Sequence, residues 1–306
     1  MPLSKEKVLR LTEHVSYIPF STNIGFVKIR DSIYIVDTVN DELKMGELLD
    51  FIKAEFPSAH LKAVIATHSH ADHCGGNAIL QETTGCEIWA SRGEASLMEY
   101  PLIETMLIWG GSPFHDLCSK FLLAKPCNAT RILSDDECVD LGDGVSFQAI
   151  PLPGHYLDQI GILFDDNGKK VFFMGDAVSG RNVIKKYWIQ YLLDETKSKE
   201  SLMKISGIKS DFYVPGHGDL VSDIEGLSEL NLLAMLETEN MIIDVLKTPK
   251  TMEEILKEVT DRNKIRLGVF QYVLIGSTLR AYLTGLYEEK KISFAIEKNE
   301  MRWRAV

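Results

Sequence analysis

His68-Ser69-His70-Ala71-Asp72-His73 follows directly on the apolar run Leu61-Lys62-Ala63-Val64-Ile65-Ala66-Thr67, and this stretch decides how the chain is read. The run has the length and content of a buried β-strand. A strand that ends in three imidazoles and a carboxylate delivers them to one place, and borderline-soft divalent metals such as zinc prefer that donor set. The chain has only 8 histidines in 306 residues, so three of them within six positions is not an ordinary polar loop.

Working outward, His155 follows Pro151-Leu152-Pro153-Gly154 after the alternating segment 145–150. Asp176 follows Gly175 at the end of Lys170-Val171-Phe172-Phe173-Met174, and His217 stands in Pro215-Gly216-His217-Gly218 after Asp211-Phe212-Tyr213-Val214. Each is a metal-competent side chain at the end of a short apolar strand, where glycine or proline turns the chain. One such histidine alone is more often structural. Four strand ends delivering His or Asp form a convergent set, as a site on a rigid scaffold requires.

The order HxHxDH, a distant GH, a GD and a second GH resembles the metallo-β-lactamase-fold hydrolases, in particular the dinuclear branch with glyoxalase II and lactonase-type enzymes. The resemblance runs from about Val15 to about Asp223 and implies two divalent metal ions, zinc first, with iron or manganese as alternatives. It assigns His68, His70 and His155 to one metal and Asp72, His73 and His217 to the other, with Asp176 bridging them. β-Lactamases of this fold carry cysteine where this chain has Asp176 and usually a non-ligand at His73, which argues against antibiotic cleavage. Oxygen-reducing diiron relatives place Glu where His70 stands, and the segment between His155 and His217 is too short for the cap of the large nucleases.

Hydrophobic content of 45% with 25% charged residues is that of a globular protein with a sizeable core. No apolar stretch reaches the ~18 residues of a membrane span, and Met1-Pro2-Leu3-Ser4-Lys5-Glu6-Lys7 lacks the apolar core of a secretion signal. The five cysteines Cys74, Cys86, Cys118, Cys127 and Cys138 are odd in number and without CxxC spacing, as expected of reduced thiols in the cytoplasm. Cys74 adjoins the motif but reads as a small apolar residue rather than a ligand. A net charge of −11 disfavours nucleic acid and favours a small-molecule substrate.

Segments 15–20, 24–29 and 33–37 read as meandering strands, and 41–55 as a helix with Met45, Leu48, Leu49, Ile52 and Phe56 near helical spacing. A helix after Gly75-Gly76 and a strand at 87–90 follow. Residues 93–125 read as a helical insertion beside the site, and strands resume from Thr130 through 145–150, 159–164, 171–174 and 212–214. Periodicity gives mixed α and β; the resemblance implies an α+β fold, a four-layer αβ/βα sandwich over residues 1–224.

Residues 225–306 differ. A helix is expected over 225–247, and Thr251-Met252-Glu253-Glu254 has the form of a capping box opening another. Helical stretches near 267–274 and over 277–290 follow, then two strands around Lys298-Asn299-Glu300. Helices and a terminal hairpin resemble a winged-helix appendage. Its basic residues Arg280, Lys298, Arg302 and Arg304 are few, so packing on the catalytic domain or on a second copy in a homodimer is preferred to RNA binding.

The expected chemistry is attack by a bridging hydroxide on a small ester, thioester or lactone. Asp72 is the candidate to orient that hydroxide and pass a proton to the leaving group. Asp37 is expected to support the metal shell by hydrogen bonding. Substrate-binding residues are not legible: Arg181, Lys185 and Lys186 read mainly as a solvated face, and nothing fixes the direction of Tyr156, Trp109 or His115. The alternatives are a winged-helix-branch endoribonuclease and a sulfur dioxygenase with one iron.

Overall fold

The computed structural model describes residues 7–40 and 42–306. Residues 1–6, on which the absence of a signal was read, and Asp41, where the first helix was expected to open, lie outside them.

Two sheets stack face to face. The first has seven strands in chain order: β1 (Leu9–Arg10), β2 (Val15–Pro19), β3 (Asn23–Ile29), β4 (Ser32–Val36), β5 (His60–Ile65), β6 (Glu87–Ala90) and β7 (Arg131–Ile132). Its first strands form an antiparallel meander, and β4 to β7 run parallel. The second sheet holds β8 (Cys138–Gly142), β9 (Val145–Pro151), β10 (Ile160–Asp166), β11 (Lys169–Phe173) and β12 (Phe212–Val214), in the spatial order β12-β11-β10-β9-β8.

Strand alternation assigns the layers. Along β4, Tyr34 and Val36 point between the sheets, where they meet Phe147, Ile162, Phe164 and Phe173. Ile33 and Ile35 point outward against helix α1 (Glu42–Glu55) and its buried Met45, Leu48, Leu49 and Ile52. In β11, Val171 and Phe173 face inward, while Phe172 faces an outer helical layer. The result is helix, sheet, sheet, helix, the expected four-layer sandwich.

Over the first sheet lie α2 (Ala71–Cys74), α3 (Asn77–Thr84), α4 (Arg92–Glu99) and α5 (Leu102–Trp109). The stretch expected to be a helical insertion is helical only in its first half; beyond Gly110 it has one 3₁₀ turn, His115–Leu117. Two helices went unread in the sequence: α6 (Arg181–Lys186) and α7 (Glu195–Gly207). The first turns of α7 are almost wholly polar, and only Leu202 and Ile205 of its apolar residues are buried, which leaves little periodicity to see.

The C-terminal segment forms α8 (Glu225–Val245), α9 (Met252–Arg262), α10 (Val269–Glu288) and the hairpin β13 (Ile292–Glu297) and β14 (Glu300–Ala305). The capping box at Thr251 and Glu254 is present. The two stretches expected over 267–290 are one continuous helix. Gly276 lies within it and does not break it. Leu227, Ile242, Leu279, Tyr282, Leu286 and Ile292 share one apolar cluster with Ile150, Leu152 and Phe172 of the second sheet. These helices therefore supply that sheet's outer layer. Among the described residues, no helix is long and apolar enough to cross a membrane.

Candidate metal centre

Four strands place the site. β11 and β12 are parallel, and β9 and β11 both run opposite to the β10 between them, so β9, β11 and β12 end at one edge of the second sheet. Just past these ends stand His155, Asp176 in a 3₁₀ turn (Gly175–Ala177), and His217. The end of β5 in the first sheet meets them, tied across by the Ile160 N–H donating to Thr67 O at 2.9 Å. His68 and His70 follow it, and α2 carries Asp72 and His73.

All seven side chains named from the sequence come together. His68 Nε2 and His155 Nε2 lie 3.1 and 3.0 Å from His70 Nδ1. His73 Nε2 lies 3.3 Å from His217 Nε2, and His217 Nε2 lies 3.1 Å from Asp72 Oδ2. Asp176 sits between the groups, with Oδ1 3.3 Å from His73 Nε2 and Oδ2 3.7 and 3.4 Å from the Nε2 atoms of His155 and His217. Donor atoms within 4.8 Å of one another form three overlapping sets: His68, His70 and His155; His68, His73 and Asp176; Asp72, His73 and His217.

The nitrogens facing away from the cluster are held from behind. His73 Nδ1 lies 2.9 Å from Asp37 Oδ2, His155 Nδ1 3.0 Å from Tyr191 O, and His217 Nδ1 2.7 Å from Ser21 O. His68 Nδ1 lies 3.0 Å from Thr67 Oγ1, and His70 Nε2 faces Glu104 Oε1 at 3.8 Å. An imidazole that donates its outer N–H presents a lone pair inward. Inward lone pairs 3.0–3.3 Å apart repel unless a cation or proton lies between them.

The electrostatics agree. Burial and neighbouring imidazoles hold His68 and His70 well below the ordinary histidine range, and burial lowers His155. Burial would also lower His73, but Asp176 and Asp72 outweigh it and hold that ring well above the range; Asp176 lifts His217 to about 9. Burial opposes charge on Asp176 too, yet His217 and His73 keep its carboxyl well below the usual carboxylate range. Two carboxylates here demand compensating positive charge, and a divalent cation can supply it in place of protons on His73 and His217. Asp176 Oδ1 is buried without a hydrogen bond of good geometry, a further mark of a ligand atom. The donor set fits divalent metal.

Other candidates separate clearly. Asp37 stands behind the cluster as expected, accepting from Thr67 N at 2.7 Å as well as facing His73. Cys74 is buried and its thiol donates to Ser69 O, away from the donor atoms. Tyr156 is buried with its ring centroid 4.2 Å from that of His70. Trp109 packs on Phe114 and, like His115, does not line the cleft over the cluster. Sequence reasoning missed two acids on the helices beside the site. Glu94, fully buried, accepts from Ser69 N, Ser69 Oγ and Asp158 N, and Glu104 faces His70. Their positions in the insertion carried no motif.

The chain is similar to known proteins on both sequence and fold. It is 34% identical over 119 residues to the hydroxyacylglutathione hydrolase GloC of Haemophilus influenzae, covering 39% of this chain and 50% of that protein. It is 23% identical over 242 residues to the atrochrysone carboxyl ACP thioesterase of Aspergillus fumigatus, covering 79% of this chain and 48% of that one. The chain thus spans half or less of the length of these curated relatives. A crystal structure of a metallo-β-lactamase family protein from Thermus thermophilus superposes with a TM-score of 0.75 at 18% identity, over 96% of this chain and 98% of that one. The sequence profile of the metallo-β-lactamase superfamily matches residues 17–217, a span that holds every donor of the cluster, and the chain belongs to that superfamily.

Proposed function

We propose that this chain is a metal-dependent hydrolase with two divalent ions, zinc first, and that it cleaves a small thioester, ester or lactone. One observation carries the reading: five imidazoles, their outer nitrogens held from behind, converge with two carboxylates, a donor count that exceeds the needs of one ion. His68, His70 and His155 would hold one ion, Asp72, His73 and His217 the other, and Asp176 would contact both. Bound there, the ions would supply Lewis acidity and bring the ionisation of water near neutral pH. The relatives named as a hydroxyacylglutathione hydrolase and an ACP thioesterase favour a thioester over other acyl groups.

The chain's own residues divide the remaining work. Asp72 is the most exposed of the seven, its side chain about half open to solvent, with Oδ2 beside His217. Its Oδ1 is the atom available to orient water and to hand a proton to a departing thiolate or alkoxide. His68 and His73, both without solvent exposure, form a floor that keeps bulk water from one side. Tyr156 closes the wall behind His70. In the C-terminal hairpin, Arg302 is engaged by Glu300 and Glu254, so its charge is not displayed for phosphate, in keeping with a small-molecule substrate.

Elemental analysis of protein purified without added metal, together with thioester hydrolysis by the same sample, tests this. About two equivalents of metal per chain with turnover lost in Asp72→Ala is the expected result. A single iron per chain, or full turnover in Asp72→Ala, overturns it.

A further inference from the structure

Helix α5 has the polarity of a surface helix reversed. Its polar residues Glu104 and Thr105 are buried: Glu104 faces His70 at 3.8 Å, and the Thr105 hydroxyl donates to Leu122 O at 3.1 Å. Ile108 shares that inner side, in a small cluster with Leu117, Leu122 and Val273. The outer side carries Leu102, Ile103, Met106 and Leu107. Trp109 and Phe114 extend it, their rings edge to face with centroids 5.3 Å apart. These six side chains are each 39–48% exposed. A helix that is apolar on both its inner and its outer side is ordinarily covered on both. From Tyr100 to Phe114 the one charged residue is the buried Glu104, so no exposed charge interrupts the face.

Lipid is a poor match for this surface. A helix that lies on a membrane keeps a basic, polar side toward the headgroups, whereas the other side of α5 is inside the protein. The nearest acids and bases along the chain are Glu99 and Asp116, two exposed carboxylates. A net charge of −11 also opposes approach to an anionic leaflet. A second copy of the chain is a good match, because an uncharged apolar face is complementary to itself across a two-fold axis. The area agrees. At about 200 Å² per large side chain, the six leave on the order of 500 Å² of apolar surface open. A stable dimer takes about 800 Å² from each partner, a little over half of it apolar, so this face supplies the apolar share.

We propose that the outer face of α5 is the two-fold interface of a homodimer. A copy seated there lies on the back of the helix that carries Glu104 behind His70 and that is tied to Leu122 of the cleft wall. The contact therefore braces one wall of the cleft.

Sedimentation velocity of the full chain at micromolar concentration should give a dimer. Ile103→Glu and Leu107→Glu, one helical turn apart on the face, should each weaken it by roughly a hundredfold or more, since each carboxylate enters a two-fold interface twice. Ile296→Glu is the control: Ile296 lies in the C-terminal hairpin, is 71% exposed, and should be replaceable with the dimer intact. Circular dichroism and metal content show whether the variants fold. Hydrogen exchange gives a readout that needs no substitution. Between dilute and concentrated samples of the unsubstituted chain, exchange should slow in residues 102–114 and not in 292–305. A monomer at the highest concentration reached, a dimer that survives both α5 variants, or protection in 292–305 instead of 102–114 overturns the proposal. So does a monomer that floats with phosphatidylcholine vesicles, which would assign the face to lipid.

Discussion

Asp37 Oδ2 lies 2.9 Å from Nδ1 of His73, and the same carboxylate accepts the Thr67 N–H through Oδ1 at 2.7 Å. One side chain at the end of β4 thus fixes both the turn that leads into His68 and the ring that stands between the two donor groups. Asp37 holds a φ of 58°, a left-handed conformation that Asp and Asn tolerate better than other side chains.

Asp37→Asn should therefore preserve the backbone while replacing one acceptor oxygen by an N–H₂ donor. Loss of such a supporting partner typically lowers metal affinity about 10- to 100-fold. Competition for zinc against a chelator of known affinity measures it. An unchanged zinc affinity would mean that His73 is oriented by packing alone.

Glu94 is the corresponding support for the other half of the motif. It accepts from Ser69 N and Ser69 Oγ at 2.8 and 2.6 Å, between His68 and His70, and from Asp158 N at 2.8 Å. Burial raises its carboxyl to about 7. Glu94→Ala strands three donors in a buried place, at a cost on the order of 3 kcal/mol. Thermal unfolding should show a fall in Tm, larger than for Glu94→Gln, which keeps one acceptor. Equal Tm values for the two variants would show that the bonds to Ser69 and Asp158 contribute little.

The donors and the fold were legible because each is written locally. A strand of three to seven residues leading into His or Asp announces both its layer and its candidate ligand. What supports the donors is not local. Asp37 could be suspected because it ends a strand, but Glu94 and Glu104 sit on short helices that carry no motif, and only tertiary packing turns them toward the site. The polar helix α7 was missed because its burial is carried by few apolar residues and by charge pairing.

That pairing sets a pH dependence. Lys199 of α7 contacts both Glu195 and Glu239, and Lys291 reaches Glu239 and Glu289, with Tyr282 of α10 also facing the group. Burial raises Glu195 to about 7, against the pull of Lys199, while Lys199 and the neighbouring groups hold Glu239 below its ordinary value. A carboxyl raised on folding stabilises fully below its unfolded value near 4.5 and loses that contribution as pH rises through about 7. The contribution of Glu239 has the opposite sign and is lost only below about 4.5. The stability difference between Glu195→Gln and the parent should therefore grow in favour of the variant from pH 5 to 8, read by urea unfolding at each pH. Parallel profiles would show that Glu195 ionises alike in the folded and unfolded chain.

Gly216 tests how closely backbone must approach the donors. A Cβ there would stand 2.1 Å from Asp176 Oδ1 and 2.7 Å from His73 Cε1, closer than real Cβ contacts come. Neither neighbour has room to retreat: His73 is fully buried and tied to Asp37, and Asp176 is bound through its N–H to Gln159 at 3.1 Å. Gly216→Ala should thus lower the metal bound per chain and abolish turnover while leaving far-ultraviolet circular dichroism close to that of the parent. Gly207, where an added Cβ meets nothing within 4 Å, is the control, and Gly207→Ala should retain its metal. Full metal content in Gly216→Ala would mean that the loop after β12 can move away, and that His217 is held less firmly than its bond to Ser21 implies.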